Sequence, residues 1–254
     1  MSIEELHAQL SQFDRIALED MGRVRLMDRV DTKFNFSRNQ LLSILPELAK
    51  HYFILEIEGS VTPKYESLYF DDEELTFYAN HHQKKMNRYK VRIRKYLDSD
   101  IAFLEVKHKF KGRTNKMRIP VNDLQHELEE EHKTFLESTG VNADGLKPIL
   151  TNKYQRITLV GKELNERLTL DLFLSFDWEG ENYNFDELII AELKQEKVSR
   201  NSPFFQVMKS QQIRPFRLSK YCIGVIKLLG KESVKYNRFK RKLNQLNKID
   251  TNAA

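Results

Sequence analysis

Between Asn87 and Lys109 the chain reads NRYKVRIRKYLDSDIAFLEVKHK. Side chains alternate along a strand with period two, so Arg88, Lys90, Arg92 and Arg94 share one face. After an Asp/Ser turn, Glu105, Lys107 and Lys109 share a face, and Ala102, Leu104, Val106 and Phe110 share the other. Like charges on one strand face repel, so either water solvates them fully or an anion compensates them. A single such strand would favour the solvated reading. The pattern recurs, however, because Lys33, Lys116, Arg118, Arg156, Arg167 and Lys194 also stand on faces opposite an apolar one. An open sheet with a solvated face would mix signs and carry Thr, Ser and Glu. Closing the sheet into a barrel would gather these bases on a common interior, which could exist only filled with water and anions. Phosphate is the natural occupant, since guanidinium groups hold it bidentately and ammonium groups as point charges. Nucleic acid is poorly served, because a bore has no room for a duplex and these faces lack stacking aromatics.

The carboxylates on the same faces gain meaning from their company. Glu105, Asp171 and Glu192 would be costly inside a barrel unless paired with the bases or bound to a divalent cation. Mg²⁺ or Mn²⁺ takes one or two carboxylates plus phosphate oxygens. For Glu105 and Asp171 pairing and metal binding are equally open; for Glu192 the reading favours metal. No nucleophile–base pair competes with this chemistry. Cys222 sits on an apolar helical stretch and reads as packing. His81 and His82 read as a surface pair, and His108 lies opposite the bases.

The elements that must position these residues follow from periodicity. Spacing of three and four predicts a helix over 2–20, with Ser2 and Glu5 as a capping box. Strands are expected over 29–36, 52–58, 65–71, 113–119, 152–160, 167–176 and 187–194, besides the opening pair. Over 29–36, Lys33 falls opposite Phe34 and Phe36; over 152–160, Tyr154 and Arg156 share a face; over 167–176, Arg167, Thr169 and Asp171 do. Ser37 is placed to cap a helix to about residue 48, with Pro46 bending or shortening it. Segment 72–85 reads as part helix, 122–138 as helix, and 203–211 and 219–229 as two more, the last capped by Ser219. The basic tail from Lys231 reads as a frayed surface helix.

Composition sets the outer bounds. The 254 residues carry 42 Lys and Arg against 37 Asp and Glu, a net charge of +5, which favours an anionic partner only weakly. One cysteine excludes a disulfide framework and suits a reducing cytoplasm. The N-terminus lacks the apolar core of a signal peptide, and no run approaches the ~18 apolar residues that span a bilayer. A cytoplasmic protein of a single domain over 1–254 is expected, with a core of about 29–230.

The order RVDTKF, YESLYFDD, YKVRIRKY, FLEVKHK, KYQR, RLTLD, IIAELK and FRLSKYCIG is similar to the polyphosphate polymerase domain of the vacuolar transporter chaperone family. That family belongs to the triphosphate tunnel metalloenzymes. The resemblance runs from about Arg29 to Gly230. It implies an α+β fold, a closed antiparallel β-barrel with surrounding helices, and transfer of the ATP γ-phosphate to a growing polyphosphate chain. The alternatives are a metal-dependent tripolyphosphatase and a non-catalytic polyphosphate- or nucleotide-binding module.

Carried over by motif, Lys33 would contact phosphate, and Arg92 and Arg94 would clamp the phosphates of the nucleotide. Lys107 and Arg156 would neutralise the transferring group beside Tyr154, with Lys116 or Arg118 as a further base. Arg167 and Lys194 would extend the binding face. Glu192 would hold Mn²⁺ or Mg²⁺, and Ser219 with Lys220 would bind phosphate where a helix begins. The implied partners are ATP, pyrophosphate and polyphosphate, with no nucleic acid; a membrane-protein partner is compatible, the chain itself not being transmembrane. The hydrolase and cyclase branch opens with Glu-x-Glu-x-Lys, whereas this chain has Arg29, Asp31 and Lys33. A second metal site is therefore not expected.

Overall fold

The computed structural model describes residues 3–23, 29–163 and 165–251. In chain order the elements are α1 (Ile3–Leu10), β1 (Arg15–Ala17), β2 (Val30–Ser37), α2 (Arg38–His51), β3 (Tyr52–Glu56), β4 (Lys64–Asp71) and α3 (Thr76–His82). Next come β5 (Val91–Tyr96), β6 (Ile101–Phe110), β7 (Arg113–Val121), α4 (Glu130–Ser138), β8 (Lys147–Gly161), β9 (Glu166–Trp178), β10 (Glu181–Phe185) and β11 (Leu188–Gln195). The chain ends with α5 (Pro203–Ser210), α6 (Lys220–Leu229) and α7 (Lys240–Thr251).

One sheet runs in the order β2-β11-β9-β8-β4-β5-β6-β7, antiparallel throughout this path. The long strands each serve two partners along one edge. β8 pairs β4 through Lys147–Gln155 and β3 through Leu159–Gly161. β9 pairs β11 near its start and β10 near its end. The expected closure does not occur: among the described residues β2 and β7 are free edges, and the sheet is an open, curled half-barrel. The edge of β2 is met instead by the segment before α6, where the Phe216 N–H donates to the Lys33 carbonyl at 2.6 Å.

Alternation explains why the sheet curls with its charges inside. The outward residues of β2, β11, β9, β8 and β3, among them Phe34, Phe36, Ala191, Leu193, Leu168, Leu170 and Ile157, form a core under α1, α2 and α5. Those of β4, β5 and β6, including Leu68, Phe70, Ile93, Leu104 and Val106, form a second core with Leu136 of α4. With the outer face covered, the inner face is left to polar side chains. A left-handed residue, Phe173 (φ 53°), breaks the alternation of β9. Asp171 therefore points inward beside Arg156, while beyond the bulge Leu174 and Phe176 also turn inward, onto α6.

Several local expectations are corrected. The first helix stops at Leu10, and its Ser2 cap lies outside the described residues. Pro46 sits within α2, which starts on the expected Ser37 cap, completed by Gln40 into a capping box, and continues to His51. Helix 122–138 is only α4: Asp123 is bound to Lys95 at 2.9 Å, and Glu129 caps the helix with His132. The basic tail is docked rather than frayed, since α7 buries Leu243 and Leu246. His82 is buried against Tyr78 and Phe239 and does not form a surface pair with His81.

Candidate active site

The inner face gathers each expected carboxylate between two bases. Glu192 of β11 lies opposite Lys33 of β2 in the ladder. Its Oε1 is 2.6 Å from Lys33 Nζ and its Oε2 is 2.8 Å from Lys194 Nζ. Asp171 of β9 faces Arg156 of β8, whose Nε and Nη2 donate at 2.6 and 3.0 Å, while Lys220 of α6 donates to the same carboxylate. Glu105 of β6 accepts from Arg92 Nε and Nη2 at 2.8 and 2.6 Å and pairs with Lys116 of β7. Burial alone would raise these carboxyls. The adjoining bases outweigh it, so Glu105 is pulled down to about 2, and Asp171 and Glu192 are held far below the usual carboxylate range.

Between these triads stand bases with no carboxylate of their own. Arg94 is buried, and its only side-chain hydrogen bond among the described residues is a 3.3 Å contact from Nε to Ser67 Oγ. Lys107 and Arg167 make no ion pair among the described residues, and burial pushes both below their ordinary values. Lys107 lies across the concavity from β2 and β11, near Glu192, Lys33 and Asp31. The inner face thus presents N–H donors in excess of acceptors; Arg167 is half-buried and Lys107 open to solvent, but Arg94 is buried, a state that polar groups rarely tolerate without a ligand.

Aromatic rings form a floor beneath these donors, which corrects the expectation that the faces lack stacking aromatics. Tyr65 and Tyr154 stack with centroids 5.2 Å apart, and the guanidinium groups of Arg94 and Arg156 lie 5.1–5.9 Å from those rings. Tyr69 accepts from Arg92 Nη1 at 3.0 Å. The Tyr154 hydroxyl is buried without a partner, and burial pushes it up to about 12, so it remains a proton donor. Tyr65 and Tyr69 escaped the sequence reading, although Tyr65, Ser67 and Tyr69 alternate with the same period as the bases.

Helix α6 brings the last site residues. Ser219 caps it, accepting from the Cys222 N–H at 3.3 Å and receiving Lys90 Nζ at 2.7 Å. The helix is seated by the buried Tyr221 hydroxyl on Asp71 and by Gly224, whose bare Cα fits against Phe176 and Leu150. Arg118 stands apart from the triads: it is exposed on β7, and its guanidinium covers the Phe103 ring at 4.2 Å.

Among the described residues no cluster of three or more His, Cys, Asp or Glu exists to build a metal site from protein alone. The donor set fits a hard divalent ion that arrives with phosphate, because Mg²⁺-type ions need only one or two carboxylates and complete their shell with phosphate oxygens and water. Glu192, with both oxygens turned into the bore, is the residue suited to hold it.

The sequence model of the VTC domain matches residues 28–229. Among solved structures, a Hippeastrum protein named as an adenylyl cyclase candidate with a dominant triphosphatase activity aligns at 13% identity. The alignment covers 77% of this chain and 94% of that one, with a TM-score of 0.51. An adenylate cyclase candidate from Bacillus halodurans aligns at 14% identity over 84% of this chain and 97% of that one, with a TM-score of 0.49. No curated protein matches. No described helix is long and apolar enough to cross a membrane.

Proposed function

The chain belongs to the VTC domain family, and from that premise we propose that it is a polyphosphate polymerase moving the γ-phosphoryl group of ATP onto a growing polyphosphate chain within the bore. The observation that carries this reading is the surplus of donors. Arg94, Lys107 and Arg167 have no carboxylate among the described residues, while Lys33, Arg92, Lys116, Arg156, Lys194 and Lys220 each share Glu192, Glu105 or Asp171. Phosphoryl transfer needs positioning and charge compensation more than covalent help. Arg92, Arg94, Lys107 and Arg156 neutralise charge on the transferring group. Lys33, Lys116, Tyr154, Arg167, Lys194, Ser219 and Lys220 hold the rest of the phosphates, and Arg118, exposed over the Phe103 ring, is at most peripheral to them. A terminal phosphate oxygen of the acceptor forms the new P–O bond, the bond from the γ-phosphorus to the bridging oxygen breaks, and ADP departs with that electron pair. A divalent ion held by Glu192 would add positive charge across the phosphate oxygens.

The state of the carboxylates supports transfer over hydrolysis. A side-chain base would assist water as acceptor, yet Glu105, Asp171 and Glu192 are each bound to two cations and are poor proton acceptors. A phosphate acceptor is already ionised near neutral pH and needs none. The test is incubation of the purified chain with ATP and Mn²⁺ or Mg²⁺, with and without pyrophosphate, resolving polymer on gels and assaying free phosphate. Metal-dependent polymer, lost in Glu192→Gln and Arg94→Ala, is the expected result. Free phosphate without polymer would make the chain a tripolyphosphatase, and anion binding without turnover a binding module.

A further inference from the structure

Lys90 lies two residues before Arg92 on the same inward face. Its Nζ is 2.7 Å from the Ser219 hydroxyl, and no carboxylate pairs with it among the described residues. Backbone hydrogen bonds of 3.0 and 2.8 Å tie Lys90 to Lys107 in both directions, which sets the two side chains beside each other on adjoining strands. The charged and titratable groups around it come from every packed element: Arg92 on β5, Lys107 on β6, Lys33 on β2, Cys222 on α6 and His81 on α3. The first three are cations. Burial pushes the Cys222 thiol up and His81 down to about 2, so both are neutral near pH 7. Lys90 also faces the start of α6, where the unpaired backbone N–H groups repel a cation and attract an anion.

An ammonium group in such a place is disfavoured unless an anion stands beside it. We propose that Lys90 is a further phosphate-binding residue of the bore and takes up a proton as the phosphate chain arrives. In the empty bore the amine rests on the Ser219 hydroxyl, which asks for no charge. A phosphate oxygen entering between Lys90, Lys107 and Ser219 makes the charged form the favoured one. Burial, against an opposing contribution from Cys222 and with smaller ones from Lys107, Lys33 and Arg92, pushes the amine down to about 7, consistent with that geometry. The inference rests on the phosphate-binding reading of the bore.

The experiment is calorimetric titration of the whole chain with tripolyphosphate at pH 7.5, without metal, in buffers of different ionisation enthalpy. The wild-type chain, Lys90→Arg and Lys90→Met are compared, so that protonation of the ligand and of other bore lysines cancels in the difference. Arginine stays charged, so Lys90→Arg should bind within about threefold of wild type while taking up roughly 0.7 proton less. Lys90→Met should bind about tenfold more weakly, as loss of a charged hydrogen bond implies. Equal proton uptake in wild type and Lys90→Arg, or wild-type affinity in Lys90→Met, would overturn the inference alone. A wild-type chain that binds no tripolyphosphate would overturn the functional reading and the inference with it.

Discussion

Arg94 and Arg118 look interchangeable as letters in alternating strands, yet one is buried without a counter-ion and the other lies exposed over Phe103. A charged hydrogen bond contributes about 1.5–3 kcal/mol, or roughly 10–100-fold in affinity. Arg94→Ala should therefore weaken tripolyphosphate binding by about that factor, whereas Arg118→Ala should change it less than about threefold, both read by titration calorimetry. Glu192→Gln should behave differently again. Removing that carboxylate frees Lys33 and Lys194, so metal-free tripolyphosphate binding should hold or tighten while metal-dependent turnover is lost. Comparing affinity in a chelator with turnover in Mn²⁺ checks this split. At this scale the sequence was legible in residue type and parity, because charge and period two are local properties. It was silent on partners: that Asp171 would be shared by Arg156 and Lys220 depends on a helix 49 residues away meeting a strand.

Strand β9 and helix α6 show what an element adds. The Arg167, Thr169, Asp171 face was readable, but the phase change at Phe173 was not, since a left-handed non-glycine residue leaves no compositional mark. The strand then serves two purposes, charge along one half and an apolar seat for α6 along the other. Gly224 is the mate of that seat. A Cβ there would lie 2.5 Å from Phe176 Cδ1 and 3.0 Å from Leu150 Cδ2, both in the packed interior. Gly224→Ala should cost about 1–3 kcal/mol by overpacking, seen as a lower melting temperature. It should also weaken phosphate binding, because Ser219 and Lys220 ride on the displaced helix. A variant that melts like wild type would show that the contact relaxes freely. The caps at Ser37 and Ser219 were legible, as capping is written within a few residues. The segment before α4 was not, because Asp123 is claimed by Lys95 from another strand.

The whole molecule is a sheet curled around more positive charge than it neutralises. Closure was expected from the face patterning and the family resemblance together, but the repulsion of the bases is equally met by an open seam between β2 and β7. Burial lowers Lys90 to about 7 and Lys116 and Lys194 to about 8, whereas unfolded lysines titrate near ~10.4. Between about pH 7 and 9 the unfolded chain thus holds more protons than the folded one, and stability rises with pH. The melting temperature of the ligand-free chain should climb across that window, and saturating tripolyphosphate should flatten the climb by keeping the lysines charged. Ligand at a hundred times its Kd should add about 2.7 kcal/mol, or roughly 5–10 °C for a chain of this size. A melting temperature indifferent to tripolyphosphate would contradict the bore reading.

The unpartnered bases Arg94, Lys107 and Arg167 reach beyond catalysis. A protein whose inner face lacks its counter-charge gains stability when loaded, so on the proposed reading the supply of phosphate chains becomes a term in its own survival. On the proposed reading, the molecule should open more often and be degraded sooner where such chains are scarce, and persist where they are plentiful. Its abundance would then follow phosphate-chain supply with no transcriptional signal, a dependence that a pulse-chase in phosphate-starved and phosphate-replete cells would read directly.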